Sequence, residues 1–309
     1  MIAVAGSTGY IGGLLCRRLR EDGASVRALA RDPARAEDLA AIGCEVRRAD
    51  ALDPDTLGPA LEGAEVAYYL VHSMGRGSEG DFAERDRRAA RNFAAAAAAA
   101  GVKRIVYLGG LGEGSKHLDS RHATAEILRE GEVPVAYLRA AAVIGAGSES
   151  FRTVYYLVRR LPLMVTPRWV STRTQPIAVA DAIACLAAAS NLELPAEREI
   201  QLGGPDVTTY GGMIDELAAA LGRRPPLRIT VPILTPTLSS LWIGLVTPVD
   251  TGVARPLIEG LETETVVTDR SGMDLLGAPA QTPLREALAQ AAEATARASS
   301  SPRKGTSSP

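Results

Sequence analysis

The chain has 309 residues, of which 46% are hydrophobic and 23% charged, with a formal net charge of -2. That length carries a large core, enough for one elaborated α/β domain or two domains, and the near-neutral charge excludes an electrostatic nucleic-acid surface. Cys16, Cys44 and Cys185 have neither zinc spacing nor an even disulfide count, which points to a reducing compartment. Without a leader ahead of the first strand or an 18-residue apolar run, a soluble, cytoplasmic protein with no integral membrane segment is expected.

Ile2-Ala3-Val4-Ala5 reads as a buried strand that runs directly into Gly6-Ser7-Thr8-Gly9-Tyr10-Ile11-Gly12. Apolar Ile11, Leu14, Leu15 and Leu19 then recur at helical spacing. Strand, glycine turn and helix in this order bind dinucleotides. Gly6 permits the tight turn, Gly9 lets backbone approach a pyrophosphate, and Gly12 lets the helix pack on the strand. The N–H groups opening that helix face the two phosphates.

Further strands are predicted over 25–30, 44–48, 66–71, 104–108 and 133–138, with helices over 81–100 and 121–130. Gly101 serves as a helix C-cap, and the alanine run 94–100 favours a helix lying close to a sheet. The alternation predicts an α/β fold, a doubly wound parallel sheet of Rossmann type. It occupies residues 1–145, with 175–190 returning to it. A smaller mixed C-terminal substrate region covers 146–298, with helices over 151–161, 179–189 and 210–221 and a strand over 199–202. The proline-rich stretch 225–256 with Trp242 fits a pocket cover, a dimer interface or a membrane contact, and its low basic charge weighs against the last. The Ser/Pro-rich tail 299–309 is expected to be disordered.

Several segments resemble the atypical short-chain dehydrogenase/reductase superfamily in its NmrA-like, NAD(P)H-binding branch. They are the glycine turn; Arg91-Asn92-Phe93 with 101–110 (GVKRIVYLGG); 138–145 (LRAAAVIG); 175–182 (QPIAVADA); and Gly203-Gly204-Pro205 with Thr208-Thr209-Tyr210. The resemblance implies a nicotinamide cofactor, a small-molecule substrate and a homodimer.

Ala30-Arg31 stands where NAD-selective folds place a carboxylate, and a guanidinium there favours the 2′-phosphate of NADP(H) over NAD(H). Asp32 follows at once, and Arg31 pairing with a neighbouring acid is the competing role. Asp50, ending the third strand, is read either as an adenine contact or as the cap of the turn before Leu52-Asp53-Pro54. His72 and Ser73 after the fourth strand and Gly109 and Gly110 after the fifth are candidates at the carboxyl rim of the sheet, near the ribose and nicotinamide.

Short-chain reductases resembling this chain use a Tyr-x-x-x-Lys pair on the helix after the fifth strand. Aligning Glu126 with the family glutamate puts Leu118 at the tyrosine position and His122 at the lysine position, so the pair is missing. His122, as an imidazole, and Ser120 are the candidate catalytic groups, with bound water as the other proton source. A partly exposed helix histidine without chemistry is the competing reading of His122. The expectation is an NAD(P)H-dependent oxidoreductase acting on a small organic substrate. A non-catalytic NADP(H) regulator or sensor is the alternative, and an epimerase or isomerase the third. No metal site is expected.

Overall fold

A computed structural model describes residues 1–71, 79–192, 197–230, 262–277 and 282–300. His72, Ser73, most of the 225–256 stretch and the tail from 301 lie outside the described residues.

Seven strands form the main sheet. They are β1 (Ile2–Ala5), β2 (Val26–Ala30), β3 (Glu45–Arg48), β4 (Val66–Tyr69), β5 (Arg104–Gly110), β6 (Val135–Ala140) and, much later in the chain, a strand at Glu197–Leu202. That late strand is β11, because four short strands intervene: β7 (Val143–Ile144), β8 (Leu163–Thr166), β9 (Arg173–Thr174) and β10 (Ile177–Ala178). The order across the sheet is β11-β6-β5-β4-β1-β2-β3, and every pairing is parallel. This is the doubly wound Rossmann arrangement. The strand order reverses between β1 and β4, which opens a crevice at their carboxyl ends.

The two-residue period of the strands divides the core. Val4, Ala28, Tyr68, Val106 and Leu138 pack on one face, against Leu15 and Leu19 of α1 (Tyr10–Glu21) and Leu186 of the helix Val179–Ala189. Ala3, Leu29, Ala67, Ile105 and Tyr137 pack on the other, against Leu57 of α3 (Pro54–Leu61) and Phe93 of α4 (Glu79–Ala99). Within the alanine run, Ala94 and Ala97 are buried against the sheet, so the small side chains serve close packing. A third core gathers Phe151 and Tyr155 of α6 (Glu149–Arg160) and Met213 and Leu217 of α8 (Tyr210–Ala220). Leu288 of the last helix, Leu284–Ser300, joins them.

Three differences from the sequence reading bear on the site and the main sheet. β5 runs on through Gly109 and Gly110, which pair with Arg139 and Ala140 of β6. The helix after it, α5 (Lys116–Arg129), starts a turn early because Ser115 accepts a hydrogen bond from Leu118 N–H and caps it. The return to the sheet also takes in β11, whose partner is β6, so the late strand forms the edge of the main sheet.

Candidate cofactor and active site

The glycine turn leaves β1 at the reversal point of the sheet. Gly6 has φ of +84°, and a Cβ there would lie 2.6 Å from the Leu70 carbonyl oxygen on the neighbouring β4 segment. Only glycine takes that backbone in that space. A Cβ on Gly12 would lie 2.2 Å from the Gly6 carbonyl oxygen, so α1 sits on the turn at a distance that excludes any side chain. Ser7 is fully buried and its hydroxyl donates to the Leu29 carbonyl at 2.9 Å, tying the turn to the end of β2. Thr8 and Gly9 face solvent. Gly9 is the N-cap of α1, with no side-chain cap and no acid in the first turn. The cradle thus fits a pyrophosphate: backbone donors at a positive helix end, without a competing carboxylate.

Ile11 packs on the core. The Tyr10 ring is seated on the loop after β7, where a Cβ on Gly145 or Gly147 would meet it at 2.4 and 2.3 Å. Burial raises the Tyr10 phenol pKa, partly offset by hydrogen bonds from the Gly147 and Ala146 N–H groups. Gly145 and Gly147 were missed as partners of the turn. Their signal in the sequence is the glycine that closes the 138–145 motif and a second glycine two residues later.

At the end of β2, Arg31 and Asp32 have separate fates. Asp32 accepts from Ala34 N–H at 3.1 Å and caps the short 3-10 turn Pro33–Ala36. Arg31 is exposed and has no hydrogen-bonding or ion-pairing partner among the described residues. Asp50 accepts from Leu52 N–H at 3.0 Å through Oδ1, so one of its oxygens caps the turn.

Above Gly109 and Gly110 the space is filled by protein. A Cβ on Gly109 would lie 2.6 Å from the Tyr137 hydroxyl oxygen, and one on Gly110 would lie 2.4 Å from a methyl of Leu118. Leu118, at the position aligned with the family tyrosine, is therefore hydrocarbon packed on the strand. His122 accepts from the Tyr137 hydroxyl through Nδ1 at 2.9 Å and donates from Nε2 to the Gly112 carbonyl at 2.8 Å. This tautomer is assigned from the carbonyl, which only accepts. Arg139 donates to the same Gly112 carbonyl at 2.9 Å and to Glu199 at 2.6 Å, joining the cluster to β11. Ser120 is half-buried and its carbonyl accepts from Thr124. Tyr107 is buried, stacked on Tyr137, and donates to the Arg121 carbonyl. The sequence reading missed this Tyr137–His122–Arg139–Glu199 chain, because its members are scattered over three elements.

Among the described residues no group of His, Cys, Asp and Glu is placed to hold a metal, and no helix is long and apolar enough to cross a membrane.

Comparison with known proteins agrees with this geometry. Quinone oxidoreductase 2 of Escherichia coli is 33% identical over 158 residues, which cover 46% of this chain and 52% of that protein. The match thus spans about half the length of that relative. Ceramide reductase of Caulobacter vibrioides is 28% identical over 234 residues, covering 74% of this chain and 72% of that protein. The crystal structure of an NADPH-dependent quinone oxidoreductase from Escherichia coli, complexed with NADPH, superposes with a TM-score of 0.74 at 23% identity. The superposition covers 95% of this chain and 99% of the other, and it establishes the shared fold. Residues 6–153 match the family described as NAD(P)H-binding. Those residues carry the glycine turn and the strands up to β7, and through them the chain is similar to the NAD(P)H-binding family that its motifs resemble.

Proposed function

We propose that this chain is an NADP(H)-dependent oxidoreductase of the atypical short-chain type, acting on a small organic substrate. The observation that carries the cofactor choice is the division of labour at the end of β2. Asp32 is spent on a cap, and Arg31 is left exposed to meet a 2′-phosphate. The glycine turn and the open N-terminus of α1 would hold the pyrophosphate, with the second oxygen of Asp50 at the adenine end. When bound, the nicotinamide supplies the hydride.

The protein's own part in that reading is placement. Leu118 at the tyrosine position donates no proton, and both ring nitrogens of His122 are engaged by Tyr137 and Gly112. In this proposal His122 is a positioning residue that holds Gly112 and Tyr137 together, and bound water supplies the proton. The names of the relatives, a quinone oxidoreductase and a ceramide reductase, support carbonyl or quinone acceptors as the substrate class. The three buried thiols support a reducing, cytoplasmic setting. A homodimer remains part of the proposal through the family resemblance.

The second reading is a non-catalytic NADP(H) sensor, favoured by the same engaged His122 and by Leu118. One experiment separates the two. The purified chain is titrated with NADPH and then given quinones, azo dyes, aldehydes and enones while nicotinamide absorbance is followed. Oxidation on at least one acceptor supports the reductase. Tight binding with no oxidation on any of them selects the sensor, and absence of NADPH binding removes both.

A further inference from the structure

Outside the cofactor crevice, the described residues expose an apolar face on a small two-stranded sheet. β8 pairs in parallel with β13 (Leu227–Thr230), with Leu163 opposite Leu227 and Val165 opposite Ile229. Alternation turns Met164 inward, where it is 3% exposed, and Arg228 inward to Asp215. The other face carries Leu163, Val165, Leu227 and Ile229 at 44, 46, 68 and 50% exposure. These are four of the six large apolar side chains exposed among the described residues, and they sit side by side. A contiguous apolar patch rimmed by polar groups marks a contact surface.

The rim is basic. Arg159 and Arg160 end α6 with two residues before β8 and lie over the Tyr155 and Tyr156 rings, and Arg223 and Arg224 lie with two residues before β13; all four are exposed. The Leu227 N–H donates to the Pro162 carbonyl at 3.0 Å, so the two strand starts, each preceded by an arginine pair, lie side by side. The chain as a whole is slightly acidic, so this concentration of guanidinium is local.

We propose that the β8–β13 face docks on an anionic lipid bilayer, its apolar side chains entering the acyl boundary and its four arginines meeting headgroup phosphates. Apolar burial and cation–phosphate attraction act together in such contacts, and only the second weakens with salt. The proposal is independent of the hydride chemistry.

The test is flotation of the full chain with vesicles of phosphatidylcholine alone or mixed with phosphatidylglycerol, at low and high salt. The expected result is flotation with the anionic vesicles, reduced by salt, and weak or no flotation with phosphatidylcholine. Leu227→Glu with Ile229→Glu, and separately Arg223→Glu with Arg224→Glu, should each lower the bound fraction at least tenfold. Both pairs are exposed, and an unchanged thermal midpoint shows that the fold persists. No flotation of the parent chain, or equal flotation of the variants, overturns the proposal. A parent dimer that Leu227→Glu with Ile229→Glu turns into a monomer, without vesicle binding, also overturns it and assigns the face to a second copy.

Discussion

The Tyr137 hydroxyl and Nδ1 of His122 are hydrogen-bonded at 2.9 Å, and the far side of the imidazole holds the Gly112 carbonyl at 2.8 Å. The histidine thus links β6 to the loop after β5. His122→Ala leaves the Tyr137 hydroxyl short of its partner, which costs about 1–3 kcal/mol, while the Gly112 carbonyl keeps Arg139. Urea denaturation measures that loss. Turnover of NADPH by the variant, on whichever acceptor proves active, separates positioning from proton donation. Loss of a general acid lowers the rate roughly 10²–10⁴-fold, whereas a positioning role predicts a fall of less than about tenfold against that scale. A larger fall would assign the proton to His122.

Arg31 stands beside Asp32, yet the two do not pair, since the carboxylate accepts from Ala34 N–H. Charge-assisted hydrogen bonds contribute about 1.5–3 kcal/mol. Arg31→Ala should therefore weaken NADPH about 10- to 100-fold on that scale and leave NADH nearly unchanged. Fluorescence titration with both cofactors reads the difference. Equal losses for the two would remove Arg31 from the phosphate site.

Gly12→Ala tests the cradle. Its new Cβ would stand 2.2 Å from the Gly6 carbonyl oxygen, which is backbone and cannot swing aside. α1 must lift from the turn, and the donors at its start lift with it. Cofactor binding should be lost, and stability should fall by about 1–3 kcal/mol, as overpacking costs. Gly58 is the control: it lies in α3 with nothing within 4 Å of a Cβ, so Gly58→Ala should leave binding intact. Calorimetric titration with NADPH on both variants checks the contrast.

How far the sequence carried depends on the range over which each signal acts. The strands around the glycine turn were readable because hydrophobic runs and the turn are local, and β1, β2 and β3 fall within a residue of their expected places. The limits of α5 were not, since the cap Ser115 lies ahead of the apolar pattern and acts through a single hydrogen bond to Leu118 N–H. The place of β11 was hidden for another reason. Its partner β6 lies more than fifty residues earlier, and register with a distant strand leaves no local trace. Likewise Gly109 reads as an approach for ligand, while the atom that fills its space belongs to Tyr137 on a neighbouring strand. Whether Arg31 or Asp32 reaches outward was decided by the Ala34 N–H, a contact that composition cannot announce.

The thiols give a chemical check on packing. Cys16 and Cys44 lie together under α1, and burial pushes both thiols up, Cys16 the more strongly. Cys185 is pushed up to about 12 by burial, with Asp181 adding to the effect. Thiolate is the reactive form, so all three should be slow toward a disulfide reagent at mildly alkaline pH. Three thiols should react promptly once the chain is unfolded in guanidinium. Fast native labelling of any one of them would show that its side of the core opens.

Glu45 supplies the pH dependence. It lies on β3, where it accepts from Arg27 Nε at 3.0 Å and Arg47 Nε at 2.7 Å. Burial alone would push its carboxyl up, but the two guanidiniums outweigh that and hold it below the ordinary carboxylate value. A carboxyl lowered in the folded state adds stability above its unfolded pKa and loses it as pH falls through the folded value. Arg27 itself is secured as well by the Ala60 and Glu62 carbonyls, so Glu45→Gln should not unfold the sheet. The variant should be less stable than the parent at neutral pH in urea titrations. The gap should close as pH drops below about 4, the ordinary carboxylate range. A gap that persists undiminished into acid would mean that the contribution is packing of the side chain and not its charge.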